Sequence, residues 1–191
     1  MRESFVERKT KETDISLKLC LDGGQISVDT GIGFFDHMLE TFAKHSGFGL
    51  QVNIRGDLKV DCHHTVEDTG IVLGTAFAEA VSDKKGIARY GTSFIPMDEA
   101  LAFACVDVGG RPFCVFEAEM PQDVIGGYDS CITAEFMRSF AYNALVTLHI
   151  VGEYGDNAHH LTEAMFKALA HALKIAVRVD GDEVLSTKGV I

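Results

Sequence analysis

Hydrophobic and polar residues alternate in several short segments of the chain. Between positions 11 and 21 every second residue is apolar, which predicts a strand with one buried face; these residues are Ile15, Leu17, Leu19 and Leu21. The turn signal Asp22-Gly23-Gly24 separates this strand from another at 25–29. The same reasoning predicts further strands at 50–54, 94–97, 101–108, 112–118 and 148–151.

Four other segments have a helical period, in which apolar residues recur every three or four positions. The first spans 34–44 and presents Phe35, Met38, Leu39 and Phe42 on one side. The other three are centred on 66–81, 136–145 and 161–173, and the polar tail at 181–191 predicts a loop. The predicted strands and helices are therefore interspersed along the whole chain.

The chain contains an internal repeat. Residues 35–45 resemble residues 133–143, and each stretch is followed by a strand, a Gly-Asp pair, a His-His pair and a helix. His37 lies 26 residues before His63, and Glu135 lies 24 residues before His159. The repeat predicts an α+β fold of two similar fused halves, about 1–92 and 93–191. Each half is expected to be a mixed β-sheet with two helices on one face, and the halves are expected to pack through the helices.

Composition limits the classes of partner. The 191 residues are 47% hydrophobic and 24% charged, which is enough apolar material for a buried core. A formal net charge of −11 disfavours nucleic acid, because basic surfaces bind phosphate backbones. The sequence shows no apolar run long enough to span a membrane and no signal region. Five cysteines without a Cys-x-x-Cys pair favour a reducing compartment, so we expect a cytoplasmic protein without a membrane partner.

The strongest chemical signal is a duplicated His-His-x-x-Glu motif, at 63–67 and again at 159–163. Residues four apart on a helix share a face, so the first histidine of each motif lies beside its glutamate. The repeat adds one residue per half at matching positions. The predicted metal ligands are His37, His63, His64, Glu67, Glu135, His159, His160 and Glu163.

Imidazole and carboxylate groups bind divalent metals such as Mn, Fe, Co and Zn. A single His pair at a helix start is usually a capping or surface feature, but a duplicated pair with glutamate at the same offset favours metal binding. A site without thiolates favours Mn or Fe over structural Zn.

At these motifs the sequence resembles the imidazoleglycerol-phosphate dehydratase family. The resemblance runs from residue 8 to residue 190 and includes 33–39, 61–68, 86–91, 96–101, 110–112, 147–150 and 157–160. It implies a hydro-lyase of histidine biosynthesis that converts D-erythro-imidazole glycerol phosphate, a small phosphorylated imidazole, to imidazole acetol phosphate and water.

The resemblance also implies two Mn²⁺ ions per active site. One ion would be held by His37, His63, Glu67 and His159, and the other by His64, Glu135, His160 and Glu163. Many family members have His at the position of Glu135. The ligands would meet across subunits of a homo-oligomer of twenty-four chains built from trimers.

The reaction removes a hydroxyl group beside the imidazole ring and a proton from the neighbouring carbon. That proton is not acidic, because no carbonyl group is adjacent to it. Metal ions on both ring nitrogens would favour an imidazolate, which can expel the hydroxyl to give a diazafulvene with an acidic C–H bond. Both ions would therefore act electronically as well as anchoring the ring.

Family resemblance places Glu12 at the substrate, as general base or proton shuttle, although residue type alone suggests a solvated charge. His45 lies two helical turns after His37 on the same side of the helix, as a proton donor or hydroxyl contact; a surface histidine is the alternative. Asp98 and Glu99 could also act as proton-transfer groups, but their spacing does not select them. The resemblance also places a set of cations and hydroxyls at the phosphate, where arginine matches the oxygen geometry: Arg89, Arg111, Ser186, Thr187 and Lys188.

Two other functions compete with this one. A di-metal hydrolase usually has more carboxylate than imidazole at its metals, whereas this chain has the reverse. A non-enzymatic metal-storage or assembly module would leave Glu12 and the three phosphate-binding cations without a ligand.

Overall fold

The computed structural model describes residues 1–188. The elements of the first half are β1 (Glu3–Lys9), β2 (Thr13–Cys20), β3 (Ile26–Asp29), α1 (Gly33–Ser46), β4 (Gly49–Gly56) and α2 (His63–Val81). Those of the second half are β5 (Tyr90–Met97), β6 (Ala100–Asp107), β7 (Phe113–Ala118), β8 (Val124–Ile125), β9 (Tyr128–Asp129), α3 (Thr133–Asn143), β10 (Thr147–Tyr154) and α4 (Ala158–Ala176). A 3-10 turn, Ser130–Ile132, precedes α3.

The two large sheets have the same topology. Their strand orders are β1-β2-β4-β3 and β5-β6-β10-β7. In each sheet the last pair of strands, β3 with β4 and β7 with β10, is parallel and the others are antiparallel. The predicted α+β fold of two mixed sheets is confirmed. The second sheet begins with β5 at Tyr90, slightly before the approximate boundary expected at 92–93.

The helices form a double layer between the sheets. Helices α1 and α2 cover the first sheet, α3 and α4 cover the second, and α2 packs on α3 as α1 packs on α4. The central strands of the two sheets bury one face each: β2, for example, buries Ile15, Leu17 and Leu19. Helices α2 and α3 approach so closely that a Cβ at Gly74 would lie 2.6 Å from the carbonyl oxygen of Phe140. This packing brings the helix starts of one half near the helices of the other.

Two features were absent from the sequence prediction. Strand β1 is rich in charged residues and leaves Phe5 exposed, so its apolar alternation is weak, and pairing with β2 orders it. The β8–β9 hairpin is too short to show a period. No helix within residues 1–188 is long and apolar enough to cross a membrane.

Candidate active site

The two histidine motifs occupy equivalent helix starts. The Asp61 carboxylate accepts a hydrogen bond from the backbone N–H of His63 at 2.7 Å. The Asn157 side chain accepts from the backbone N–H groups of His159 and His160 at 2.9 and 3.2 Å. Both caps satisfy amides that helix geometry leaves without partners. Each motif is therefore held at the first turn of its helix by a polar residue two positions earlier.

The first histidine of each motif lies beside the glutamate four residues later, as predicted. His63 Nε2 is 3.3 Å from Glu67 Oε2, and His159 Nε2 is 3.2 Å from Glu163 Oε2. In the second motif, α1 adds His37, whose Nε2 is 3.5 Å from the same Glu163 oxygen. Ligand atoms of His37, His159 and Glu163 all lie within 4.8 Å of one another. We call these three residues the α1/α4 cluster.

Glu163 is the buried centre of the α1/α4 cluster. Its side chain is only 8% exposed, and its second oxygen lies 2.7 Å from Lys167 Nζ. Burial alone would raise the pKa of Glu163, but the nearby Lys167, His37 and His159 outweigh burial and hold this pKa below its ordinary value. Sequence reasoning missed Lys167, although its spacing of four from Glu163 on one helix was a signal for it. The cluster therefore presents an ionised carboxylate and two imidazoles on adjacent helices.

The second histidine of each motif is oriented by a carboxylate from a neighbouring loop. His64 Nδ1 lies 3.0 Å from Asp57, and His160 Nδ1 lies 2.7 Å from Glu99. These hydrogen bonds are the largest cause of the raised pKa of each histidine. A metal-binding imidazole typically donates its other N–H to a carboxylate in this way. The arrangement leaves Nε2 of each ring for a ligand.

Another carboxylate approaches each of these free Nε2 atoms. Glu12 Oε1 lies 3.9 Å from His64 Nε2, and Asp98 Oδ2 lies 3.8 Å from His160 Nε2. Glu12 and Asp98 occupy the β1–β2 and β5–β6 turns, so they are equivalent positions of the repeat. The structure thus brings Glu12 to a predicted metal ligand, and it singles out Asp98 as the counterpart that spacing did not select.

The turn that carries Glu12 is firmly attached to α2. The Asp68 carboxylate accepts hydrogen bonds from Arg8, at 2.9 Å, and from the hydroxyl of Thr13. The carbonyl oxygen of Glu12 accepts a further bond from the Asp57 amide at 3.0 Å. These contacts fix the backbone of Glu12 beside the first histidine motif while its side chain stays half exposed.

The α2/α3 pair differs from the α1/α4 cluster. Glu135 stands at the start of α3, in the position equivalent to His37 of the α1/α4 cluster, but its carboxylate lies 2.6 Å from Arg138 Nη1. His45, the predicted proton donor, contacts His171 on α4, with Nδ1 3.0 Å from Nε2. Within residues 1–188, three ligand atoms converge only in the α1/α4 cluster.

This geometry differs within one chain from the ligand grouping that the resemblance implied, and that grouping stays a prediction. Glu163 lies with His37 and His159 in one chain, whereas the implied grouping assigned it to the other ion. The reason is the packing of the helices: α1 lies on α4, and α2 lies on α3. The start of α4, in the second half, therefore lies beside α1 of the first half.

The predicted phosphate-binding residues converge on a cavity of about 1290 Å³, lined in part by Arg89, Arg111, Ser186, Thr187 and Lys188. Arg89 is held by Asp107, at 2.7 Å from Nε, and by the carbonyl oxygen of Leu185, at 2.6 Å from Nη1. Arg111 and Lys188 are exposed. Among residues 1–188, the lining includes no predicted metal ligand, so one chain presents the cations and the histidine clusters on separate surfaces.

Comparison with known proteins confirms the family resemblance. A family model described as Imidazoleglycerol-phosphate dehydratase matches residues 30–173. The proteins of that name from Acetivibrio thermocellus and Methanosarcina mazei are 51% and 54% identical to this chain; each match covers all of this chain, with 99% and 100% of the relatives covered.

Solved structures of the dehydratases from Staphylococcus aureus and Pyrococcus furiosus both superpose with a TM-score of 0.85, at 39% and 35% identity. They cover 93% and 97% of this chain, and 99% and 100% of their own chains are matched. These relatives support a lyase that acts as a dehydratase in histidine biosynthesis. The chain belongs to the imidazoleglycerol-phosphate dehydratase family.

Proposed function

We propose that this chain dehydrates D-erythro-imidazole glycerol phosphate to imidazole acetol phosphate at a site containing two Mn²⁺ ions. The observation that carries this proposal is the duplicated histidine motif, in which one copy already gathers two imidazoles and a carboxylate at 3.2 and 3.5 Å. Neighbouring ligands around a small divalent cation have similar separations.

The donor set fits two such ions. His37, His159 and Glu163 would hold one, and the repeat assigns Glu135, His63 and Glu67 to the other. His64 and His160 belong to neither three-residue group in the described chain, yet each has a carboxylate on Nδ1 and leaves Nε2 available. This supports the proposal that they complete the sites of another copy. The absence of thiolate ligands favours Mn²⁺ over a structural Zn²⁺.

The protein groups have distinct tasks in this reaction. When bound, the two cations would supply positive charge at the ring nitrogens and favour the imidazolate and diazafulvene route described above. Glu12 would accept the proton from the carbon next to the one that loses its hydroxyl, since its carboxylate lies next to His64 on a fixed turn. His45 would donate a proton to the departing hydroxyl. Arg89, Arg111 and Lys188 would neutralise the phosphate in a chain of net charge −11.

The test is turnover by the metal-loaded protein. Purified protein saturated with Mn²⁺ is expected to form a ketone from imidazole glycerol phosphate and to leave a generic phosphate ester intact. A chelator should abolish turnover and added Mn²⁺ should restore it. Ester hydrolysis would support the di-metal hydrolase, and metal uptake without turnover would support a storage module. A triazole analogue of the ring should inhibit only a dehydratase.

We also propose a homo-oligomer of twenty-four chains built from trimers, located in the cytoplasm. Separation of the anion cavity from the histidine clusters supports assembly, because copies must combine to unite them. The second sheet also exposes Phe94, which stacks at 4.9 Å on Phe103. Five cysteines without a disulfide suit a reducing compartment. Analytical ultracentrifugation tests the assembly, and cell fractionation tests the location.

A further inference from the structure

A pair of histidines joins the ends of two helices that are distant in sequence. His45, in the last turn of α1, and His171, on α4, are 126 residues apart, yet Nδ1 of the first lies 3.0 Å from Nε2 of the second. Their ring centroids are 5.2 Å apart and their planes meet at 66°. Both rings are partly buried at the interface between α1 and α4. This contact has hydrogen-bond geometry and is not simple ring packing.

The pair lies on the same interface as the α1/α4 cluster. His45 follows His37 by eight residues, and His171 follows Glu163 by eight, so both are about 12 Å further along their helices. Lys167 lies midway on α4, with Nζ 2.7 Å from Glu163. The α4 face thus presents a carboxylate, an ammonium group and an imidazole at intervals of one turn.

The hydrogen bond restricts the protonation of both rings. A bond between two imidazole nitrogens requires one proton between them, so one ring donates and the other accepts. The pKa of His45 is lowered first by burial and then by the charges of His171 and Lys167. Lys44 lowers it further, and Glu163 acts in the opposite direction. Burial, then Lys174, lowers the pKa of His171. Both rings are therefore neutral near pH 7.

Only one of the two neutral arrangements makes His45 a donor. If His171 Nε2–H donates to His45 Nδ1, the proton of His45 must lie on its Nε2. Among residues 1–188, that Nε2 has no hydrogen-bond partner, so it is available to a substrate hydroxyl. The opposite arrangement would leave a bare Nε2 that can only accept. The second ring therefore holds the orientation of the first and couples the tautomer of the first ring to its own.

We propose that His171 is a positioning residue for His45, holding Nδ1 of that ring so that its protonated Nε2 faces the substrate. This assignment rests on the proposed dehydratase function. His171 itself does not touch the reacting atoms; it acts through His45. It is a non-local contact that the spacing of residues could not show.

Steady-state kinetics of the Mn²⁺-loaded protein test the assignment. His171→Phe keeps an aromatic ring but removes both nitrogens, and misplacement of His45 should lower kcat about 10- to 100-fold with KM little changed. His171→Gln places an amide near the lost Nε2 and should recover most of the loss. Ile175→Ala, one turn further on α4, is the packing control and should leave kcat unchanged.

A double-mutant cycle separates positioning from packing. His45→Phe should itself lower kcat, and His171→Phe should cause no further loss in the His45→Phe background. Full kcat in His171→Phe, independent losses in the cycle, or no recovery by His171→Gln would each overturn the assignment. Should the Phe variant fail to fold, His171→Leu takes its place in the cycle. Wild-type protein without any turnover would defeat the proposed function itself, whereas active wild type with an unaffected His171 variant would defeat only this assignment.

Discussion

The α1/α4 and α2/α3 helix pairs derive from the same repeat but differ in how complete they are. In the α1/α4 pair, two imidazoles surround a buried carboxylate, Glu163, which Lys167 also contacts. Among residues 1–188, the carboxylate beside His63 in the α2/α3 pair is that of Glu67, and Glu135 binds Arg138 instead. If each pair holds an ion as proposed, the first pair is organised for it in advance, because its carboxylate is buried and charge-paired. The second pair would have to release a carboxylate from a surface ion pair.

The two pairs also differ in donor chemistry. The first offers two imidazoles and one carboxylate, whereas the second offers one imidazole and two carboxylates. Harder oxygen donors favour Mn²⁺, and imidazole donors favour later metals such as Zn²⁺. The two copies of the motif are therefore expected to differ in metal preference. The two proposed ions should bind with different affinities.

The largest expected effect comes from Glu163→Gln. The amide keeps the shape of the side chain but removes the charge shared by His37 and His159, so kcat should fall by more than about 100-fold with loss of bound metal. Glu67→Gln in the other pair should cost less affinity, since Glu67 is far more exposed. Metal content and kcat are measured for both variants. Glu40→Gln, at an exposed position of α1, is the control. Equal effects at Glu163 and Glu67 would contradict the asymmetry.

The second prediction compares the equivalent turn carboxylates. Glu12→Gln should keep its metal content and lower kcat about 10²- to 10⁴-fold, the usual contribution of a general base. Asp98→Asn should cost less than about tenfold, because the Asp98 side chain is 76% exposed and Glu12 is on the turn anchored to α2. Asn tolerates the left-handed backbone at that position, where φ is 48°. Normal turnover in Glu12→Gln would remove this residue from the mechanism.

The third prediction makes the two pairs chemically alike. Glu135→His gives the α2/α3 pair two imidazoles and one carboxylate, and its preference for Zn²⁺ over Mn²⁺ should rise by about tenfold. Competitive metal titration measures this change. Arg138→Gln is the matched variant, because it frees Glu135 from its ion pair without altering the metal-binding groups. Since that ion pair is half exposed and therefore weak, Mn²⁺ affinity should rise by no more than about fivefold. An unchanged metal preference in Glu135→His would show that this residue is not a ligand.

The smallest expected effect is on stability at acid pH. Burial and neighbouring charges lower the pKa of His45 and His171 below the ordinary 6.5, so the unfolded chain takes up protons first as the pH falls. Stability from these neutral rings is present above pH 6.5 and is lost below it. Urea unfolding of metal-free protein from about pH 8 to pH 5 should show a smaller acid loss in His171→Gln, since one of the two titrating rings is then absent. If the unfolding free energy of His171→Gln had the same pH dependence as that of the wild type, the histidine pair would not be a cause of the acid loss.

The sequence by itself determined everything that depends on short spacing. Alternation predicted the strands of the two large sheets apart from β1, because neighbouring side chains in a strand point to opposite faces. The interval of four residues placed His63 beside Glu67 and His159 beside Glu163, because helix geometry is the same in any fold. The repeat then predicted two like halves and nominated all eight ligand candidates.

Only the tertiary structure decided which candidates meet. Packing of α1 on α4 grouped His37 with Glu163 and joined His45 to His171, contacts between residues 126 positions apart. Loops brought Asp57 to His64 and Glu99 to His160, although the repeat alone would have offered Asp156 for the latter. Such contacts depend on how whole elements pack, and no local period records that packing. Strand β1 was missed for the same reason, since pairing with β2 orders it more than its own weak pattern does.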